Sequence, residues 1–368
     1  MKYFIIAGER SGDLHGGNLV KAIIKEEPDS EFKGFGGDNM QASGVEILLH
    51  YKQMAFMGFI EVLQNIFKIR GFINQCKSEI DTYKPDAIIL IDYGGFNMKI
   101  AKYAKKSGIP VHFYISPKVW AWNQKRALKL KRIVDFMYVI LPFEKEFFAK
   151  FVWEVNYVGN PVMDAVKSHK PTASNLPSKY VALLPGSRGQ ELKNMLPYFI
   201  ELASRKTDIN FAVATVNNLD DSYYAEISKM DNVVLFKGNS YDLLSGADAA
   251  VVTSGTATLE TALWKVPQVV VYRTSKISYT IAKRLIRVPY ISLVNLIADK
   301  EVVKELIQDE FNTDSLAEEL DRLLTDTEYL ANIKLEYDKI IKTLDVGSAS
   351  ENTAKLIVEN QKKASSVS

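Results

Sequence analysis

The chain has 368 residues, 47% of them hydrophobic and 24% charged, with a formal net charge of +2. That balance fits two ordinary folded domains, excludes a disordered chain and gives no global case for nucleic acid, so any basic surface is local. One cysteine, Cys76, excludes an intrachain disulfide and a cysteine metal cluster, and no apolar run approaches the roughly 20 residues of a membrane-spanning helix.

Residues 1–8 are too short for the core of a signal peptide and read as a first strand. The expected setting is the cytoplasm, with the protein soluble or attached to a membrane surface. Residues 3–7 form the strand, 9–13 a polar glycine loop and 14–25 a helix; 32–37 give a second strand and a glycine-rich turn. After Pro85, residues 87–92 are a continuous apolar run ending in Asp92, the pattern of a parallel strand buried on both faces. A helix over 97–106 and strands over 111–115, 136–141 and 156–158 complete the first half. A polar stretch over 161–179, with Pro171, Ser174, Pro177 and Ser178, reads as a linker. The alternation then restarts, with strands over 180–184, 210–215, 233–236, 249–252 and 268–272 and helices over 191–206 and 241–245. Ser348 and Glu351 make a capping box that opens a last helix. The pattern predicts an α/β protein of two doubly wound parallel sheets.

Each glycine-containing loop falls at the carboxyl end of a predicted strand, where open α/β sheets bind ligands, so two such halves aim these loops at one cleft. Ser254-Gly255-Thr256-Ala257-Thr258-Leu259-Glu260 follows the run 249–252 and turns into a helix. Unpaired amides and the helix dipole there favour a phosphate, and small side chains let it approach. Glu260, about a turn into that helix, can reach ribose hydroxyls, as an acidic residue does in dinucleotide folds; an ordinary turn with a surface glutamate is the plain alternative. Leu184-Pro185-Gly186-Ser187-Arg188 is a second such loop. Ser187 and Gln190 form a capping box there, and Arg188 either holds phosphate oxygens in a bidentate fork or is a surface arginine. The Lys-Ser/Thr ending of a Walker loop is absent. No Asp-x-Asp sequence occurs, and His15, His50, His112 and His169 lack zinc-ligand spacing. A bound diphosphate is therefore expected to be neutralised by helix N-termini and Arg188, with no obligatory metal.

Gly8-Glu9-Arg10-Ser11-Gly12-Asp13 is the matching loop of the first half. Ser11 and Asp13 read either as caps of the next helix or as lining of the cleft. Asp92 is the first candidate for a general base and Asp13 the second, since burial can raise a carboxyl toward that work. In Ser116-Pro117-Lys118-Val119-Trp120-Ala121-Trp122, followed by Lys125, Arg126, Lys129, Lys131 and Arg132, the indoles can stack on a sugar and the cations can meet acidic head groups. Core tryptophans beside a solvated basic face are the commoner outcome. The run 54–72 contains Phe56, Met57, Phe59, Phe67 and Phe72, edged by Lys52, Lys68, Arg70 and Lys77. Its readings are an interfacial membrane helix, a lipid-binding wall and a wholly buried helix.

Taken together, these stretches resemble the lipid-A-disaccharide synthase family, bacterial inverting glycosyltransferases of GT-B architecture. The markers run through most of the chain in order: Gly8-Glu9-x-Ser11-Gly12-Asp13, Gly34-x-Gly36-Gly37-x-x-Met40, Met57-Gly58-x-x-Glu61-Val62, Ile91-Asp92 with Phe96-Asn97, and Ser116-Pro117-x-Val119-Trp120-Ala121-Trp122. Leu141-Pro142-Phe143-Glu144, Leu184-Pro185-Gly186-Ser187-Arg188, Ser254 to Glu260, and Ile291-Ser292-Leu293-x-Asn295-Leu296-Ile297-Ala298 follow. Any one is weak; nine in order are specific.

The resemblance implies two Rossmann-like domains facing a cleft. Residues 1–165 with 348–368 would form the acceptor and membrane side, because the last helix of the family crosses back, and 177–347 the UDP-sugar side. It implies transfer of 2,3-diacylglucosamine from its UDP ester to 2,3-diacylglucosamine 1-phosphate, giving a β-1,6 disaccharide and UDP. Asp92 would act as base, with Asp13 behind it; Arg188, Gly186, Ser187, Ser254, Gly255 and Thr256 would hold the UDP phosphates, Glu260 the ribose, and Asn295 the donor pocket. Glu9, Ser11, Asn97, Trp120 and Trp122 would line the acceptor side, and Phe56, Met57, Phe59, Phe67 and Phe72 would meet acyl chains or membrane. Peripheral association with the inner face of the cytoplasmic membrane is implied, without nucleic acid, cofactor or obligatory metal, and a homodimer is compatible.

Three places depart from the family pattern: Arg10 replaces a small residue, Tyr93-Gly94-Gly95 lacks a proline, and Gly159-Asn160-Pro161 replaces Gly-His-Pro. The first two bear on the acceptor. Competing readings are another UDP-sugar enzyme of this architecture, such as a cell-wall lipid N-acetylglucosaminyltransferase or a UDP-GlcNAc 2-epimerase, and an inactive nucleotide-sugar or lipid-binding module.

Overall fold

The computed structural model describes residues 1–54, 65–172, 175–216 and 219–365. The chain divides into two units, Met1–Pro161 with Val346–Ser368, and Val162–Asp345. In the first, strands β1 (Lys2–Ala7), β2 (Glu31–Gly36), β3 (Val45–His50), β4 (Ala87–Ile91), β5 (Val111–Tyr114), β6 (Phe136–Val139) and β7 (Asn156–Tyr157) form one sheet. Their order is β3-β2-β1-β4-β5-β6-β7, and every pairing is parallel.

All of β4 is buried, as its isoleucine-rich run requires. Helix Arg10–Glu26 covers one face of the sheet with Gly12, Gly16, Leu19, Val20 and Ile23, spaced three and four apart. Gly16 permits the close approach, since a Cβ there would stand 2.8 Å from Met40 Sδ. The last helix, Ala349–Ser365, packs against Arg10–Glu26 and adds Ala354, Ile357 and Val358 to the core built on Tyr3, Ile5 and Ile89.

The second unit holds β8 (Val181–Leu184), β9 (Phe211–Ala214), β10 (Val233–Phe236), β11 (Ala249–Thr253), β12 (Gln268–Tyr272) and β13 (Glu305–Ile307). They pair in the order β10-β9-β8-β11-β12-β13, again all parallel. Helix Gly189–Arg205 drives Leu192, Met195, Phe199 and Leu202 into its core.

The stretch 161–179 is not all linker. Helix Pro161–Ser168 occupies its start, with Met163 buried and Val162 and Val166 packed on the second unit's core. Pro161 stands at the first helical position, where its missing N–H leaves no bond unmade. Strands β3 and β13, unread from the sequence, extend the two sheets. Among the described residues no helix is long and apolar enough to cross a membrane.

Candidate active site

Strand order reverses between neighbours β1 and β4 in the first sheet and between β8 and β11 in the second. Loops leaving the carboxyl ends of such a pair diverge to opposite faces and leave room for a ligand. The loops at 8–13, 92–95, 184–188 and 254–260 are those four.

After β4, Asp92 has φ +44° and Tyr93 φ +46°; after neighbouring β5, Ile115 has φ +66°. Side chains with a Cβ disfavour this left-handed region, a β-branched one most of all, so strain gathers on two adjacent strand ends. The surroundings hold it. The Tyr93 hydroxyl donates to the Met54 carbonyl at 2.8 Å. Its ring covers Gly8, where a Cβ would lie 2.2 Å from Tyr93 Cδ1. Buried Asn97 donates from Nδ2 to the carbonyls of Asp92 at 2.8 Å and Ile91 at 3.2 Å, which closes the turn. Burial and then the Glu9 carboxylate push the half-buried Asp92 up to about 6, against the opposing pull of Lys118 and the Tyr93 amide. Glu9 stands at the N-cap of helix Arg10–Glu26 without capping it through its side chain, and Ser11 is exposed.

Asp13 has a different task. Its buried carboxylate accepts from the amides of Gly37 (2.7 Å), Asn39 (3.0 Å) and Met40 (3.1 Å) and from Asn39 Nδ2 (2.8 Å). Four donors fill its acceptor sites, so the second candidate base is a brace for the turn after β2 and does not cap its own helix.

Trp120 is likewise taken into the fold. It is buried, edge-on to Phe143 at 5.0 Å, and its Nε1 donates to Glu144 at 3.2 Å. Fully buried Glu144 also accepts from the amides of Ile140 (3.1 Å) and Leu141 (2.9 Å) and from the Ser116 hydroxyl. Burial raises this carboxyl, and those bonds, Ser116 first, oppose the shift. Trp122 is 45% exposed, with the Arg126 guanidinium 5.4 Å from its ring centroid. An indole free to stack on a sugar is therefore Trp122, not Trp120.

In the second unit Gly186 turns the chain with φ +105°. Glu191 Oε2 accepts from the amides of Ser187 (2.8 Å) and Arg188 (3.2 Å), and its Oε1 lies 3.3 Å from the Arg188 guanidinium. The capping pair is thus Arg188 and Glu191, one residue beyond Ser187 and Gln190. Two amides expected to meet phosphate already hold a carboxylate, and the Arg188 side chain, ion-paired to that same Glu191, stays 61% exposed. The other loop is less filled. The Ser254 hydroxyl donates to the Ile291 carbonyl at 2.9 Å, Gly255 faces open space, and Thr256 is exposed at the start of helix Thr256–Leu263. The Thr256 and Ala257 amides have no carbonyl partner among the described residues.

Glu260, half-buried, accepts from the Tyr241 hydroxyl at 3.2 Å, and burial raises its carboxyl against that bond. Asn295 is fully buried. Its Nδ2 donates to Val303 O (2.8 Å) and Glu305 Oε1 (2.9 Å), and its Oδ1 accepts from the amides of Val302 (2.8 Å) and Val303 (3.0 Å). It fastens the segment 292–305 and has no group left to line a donor pocket.

Of the apolar stretch, Phe67 is 83% exposed at the start of helix Ile66–Tyr83, and Phe72 is half-buried. Phe56, Met57 and Phe59 lie outside the described residues. Sequence reasoning missed Tyr93 as the cover of Gly8, Glu144 as the anchor of 116–120, Lys118 beside Asp92, and Tyr241 on Glu260. Glu144, Lys118 and Tyr93 each stood in a quoted stretch, and nothing in the sequence tied Tyr241 to Glu260.

The family model described as lipid-A-disaccharide synthetase matches residues 3–359. The lipid-A-disaccharide synthase of Syntrophus aciditrophicus (strain SB) is 39% identical over 98% of this chain and 98% of its own length. That of Geobacter metallireducens is 38% identical over 97% of each. Among solved structures, the glycotransferase of kitacinnamycin superposes with a TM-score of 0.69 at 13% identity, covering 98% of both chains. The UDP-GlcNAc 2-epimerase of Neisseria meningitidis bound to UDP-GlcNAc gives 0.64 at 16%, covering 99% of this chain and 100% of that one. At such identities the structural likeness carries the fold alone, the pair of parallel-sheet α/β domains of GT-B proteins.

Proposed function

The chain belongs to the lipid-A-disaccharide synthetase family, and we propose that it transfers 2,3-diacylglucosamine from its UDP ester to 2,3-diacylglucosamine 1-phosphate, giving the β-1,6 disaccharide 1-phosphate and UDP. Near-full-length relatives at 39% identity favour this over the activity of an epimerase at 16%. The observation that carries the chemistry is Asp92, held in a strained turn at the switch point of the first sheet with its carboxyl raised to about 6. Direct displacement with inversion needs a base on the acceptor 6-hydroxyl as the oxygen attacks the anomeric carbon. A carboxyl raised to about 6 is ionised at neutral pH and holds a proton better than an ordinary aspartate does.

On the second unit, departing UDP gathers negative charge on its phosphates. Arg188 and the open amides of Thr256 and Ala257 supply the positive potential, with Glu260 and Tyr241 on the ribose. These groups neutralise the diphosphate, with no obligatory metal and the UDP-sugar as substrate. Exposed Ile66 and Phe67, beside Lys68 and Arg70, suit acyl chains and a peripheral seat on the inner face of the cytoplasmic membrane.

The test is a mixed-micelle assay with both acylated substrates and EDTA, scoring the disaccharide by mass. Product is expected. UDP binding without product would sink the synthase reading, and product only when EDTA is omitted would sink the metal-free mechanism.

A further inference from the structure

We propose that Lys118 reads the phosphate of the acceptor and so sets this protein's preference for a phosphorylated acceptor sugar. The inference rests on the functional reading above and deepens its acceptor side.

Lys118 sits on a loop clamped from both sides. Ile115, with φ +66°, turns the chain out of β5. Ser116 and Trp120, flanking the lysine, both bond to the buried Glu144 carboxylate. Pro117 lies against the turn that carries Asp92, because a Cβ on Gly94 would come within 2.8 Å of Pro117 Cβ. The backbone under Lys118 is therefore fixed with respect to the base. Its side chain is exposed and makes no ion pair or side-chain hydrogen bond among the described residues. Lys118 nonetheless acts on Asp92, pulling that carboxyl down against burial.

An ammonium on a flexible four-carbon stem, rooted in rigid backbone beside the base, meets whatever anion the reaction brings to that edge. When the acceptor 6-hydroxyl lies on Asp92, the same sugar ring carries the anomeric phosphate, the one strong anion of the acceptor. A charge-assisted contact from Lys118 to its oxygens favours the phosphorylated sugar over the neutral one.

The test uses the full chain in neutral-detergent micelles, where the UDP donor at fixed concentration is the one other phosphate-bearing lipid, with 2,3-diacylglucosamine 1-phosphate and unphosphorylated 2,3-diacylglucosamine compared as acceptors. Lys118→Ala is expected to raise KM for the phosphorylated acceptor about 10-fold or more while kcat and the donor KM change less than about 3-fold. The two proteins should use the unphosphorylated acceptor equally, and Lys118→Arg should recover most of the loss. An unchanged KM, or an equal loss on both acceptors, overturns the assignment. So does an acid limb that moves while KM stays put, which would show Lys118 acting through Asp92 alone. Wild-type turnover with an unaffected variant removes only the role of Lys118, whereas a wild type that makes no disaccharide removes the functional reading with it.

Discussion

A carboxyl that titrates near about 6 in the folded chain, against 3.8 when free, binds its proton more tightly folded than unfolded. The resulting destabilisation is absent below the free value, grows as pH rises through the window, and is full above about 6. Asp92→Asn removes it while keeping the shape of the side chain. At neutral pH the variant should melt higher, by about 1–2 kcal/mol of stability once partial exposure is allowed for. Its kcat should fall by about 10²- to 10⁴-fold. In the unaltered protein kcat/KM should drop as pH falls through about 6, because Asp92, the proposed base, is then protonated. Thermal melts at neutral and acidic pH, with a pH–rate profile, decide it. A variant less stable at neutral pH, or an acid limb near the free carboxyl value, would contradict this account. The place of Asp92, at the end of a buried strand, was legible because an acid closing an apolar run marks a strand end. Asp13 reads as a cap or a cleft residue, and the resemblance puts Asn295 in the donor pocket, because neither source counts the bonds that close around a polar side chain. For Asp13 those donors come from the separate segment 37–40.

Loops distant in sequence hold one another at the switch point, and Gly8 against Tyr93 is the tightest case. A methyl group on Gly8 would lie 2.2 Å from the Tyr93 ring, so the ring must leave and the hydroxyl must release Met54. Gly8→Ala is expected to cost about 1–3 kcal/mol and at least about 10-fold in kcat, through the disturbed Asp92 turn. Tyr93→Ala added to it should cost less than the two single changes summed, since the clash goes with the ring. Additive losses in melting and in kcat would show that the contact is not what sets the turn. At this scale the sequence is legible where one residue type has one use, as in apolar runs and glycine turns. It is less so where two neighbours compete. Gln190 and Glu191 could each close back on the loop, and the ionised Glu191 wins because its bonds to the amides are charge-assisted. Helix Pro161–Ser168 was hidden by the polar, proline-bearing residues that follow it, although Val162, Met163 and Val166 already traced a buried stripe.

The chain passes between its units twice, after Pro161 and after Asp345, so the first unit is complete only when the last helix returns. Ile357 on that helix is fully buried in a core shared with Tyr3, Ile5 and Leu19, more than 330 residues away in sequence. Periodicity alone reads the two parallel sheets, because each strand carries its own apolar run, but nothing local to 349–365 says which sheet its helix will cover; that expectation came from the family resemblance. The second unit has a separate core around Phe199, Val251 and Leu316. Ile357→Ala deletes buried methyl groups where the surroundings relax only in part, a loss of about 2–5 kcal/mol confined to the first core. Calorimetry should resolve two transitions and show the variant lowering one of them. UDP, which the proposal places on the second unit, should raise the other by mass action. If UDP lifts the transition that Ile357→Ala lowers, or one transition moves as a whole under both, the two cores do not unfold independently and the assignment of nucleotide to the second unit loses its thermodynamic support.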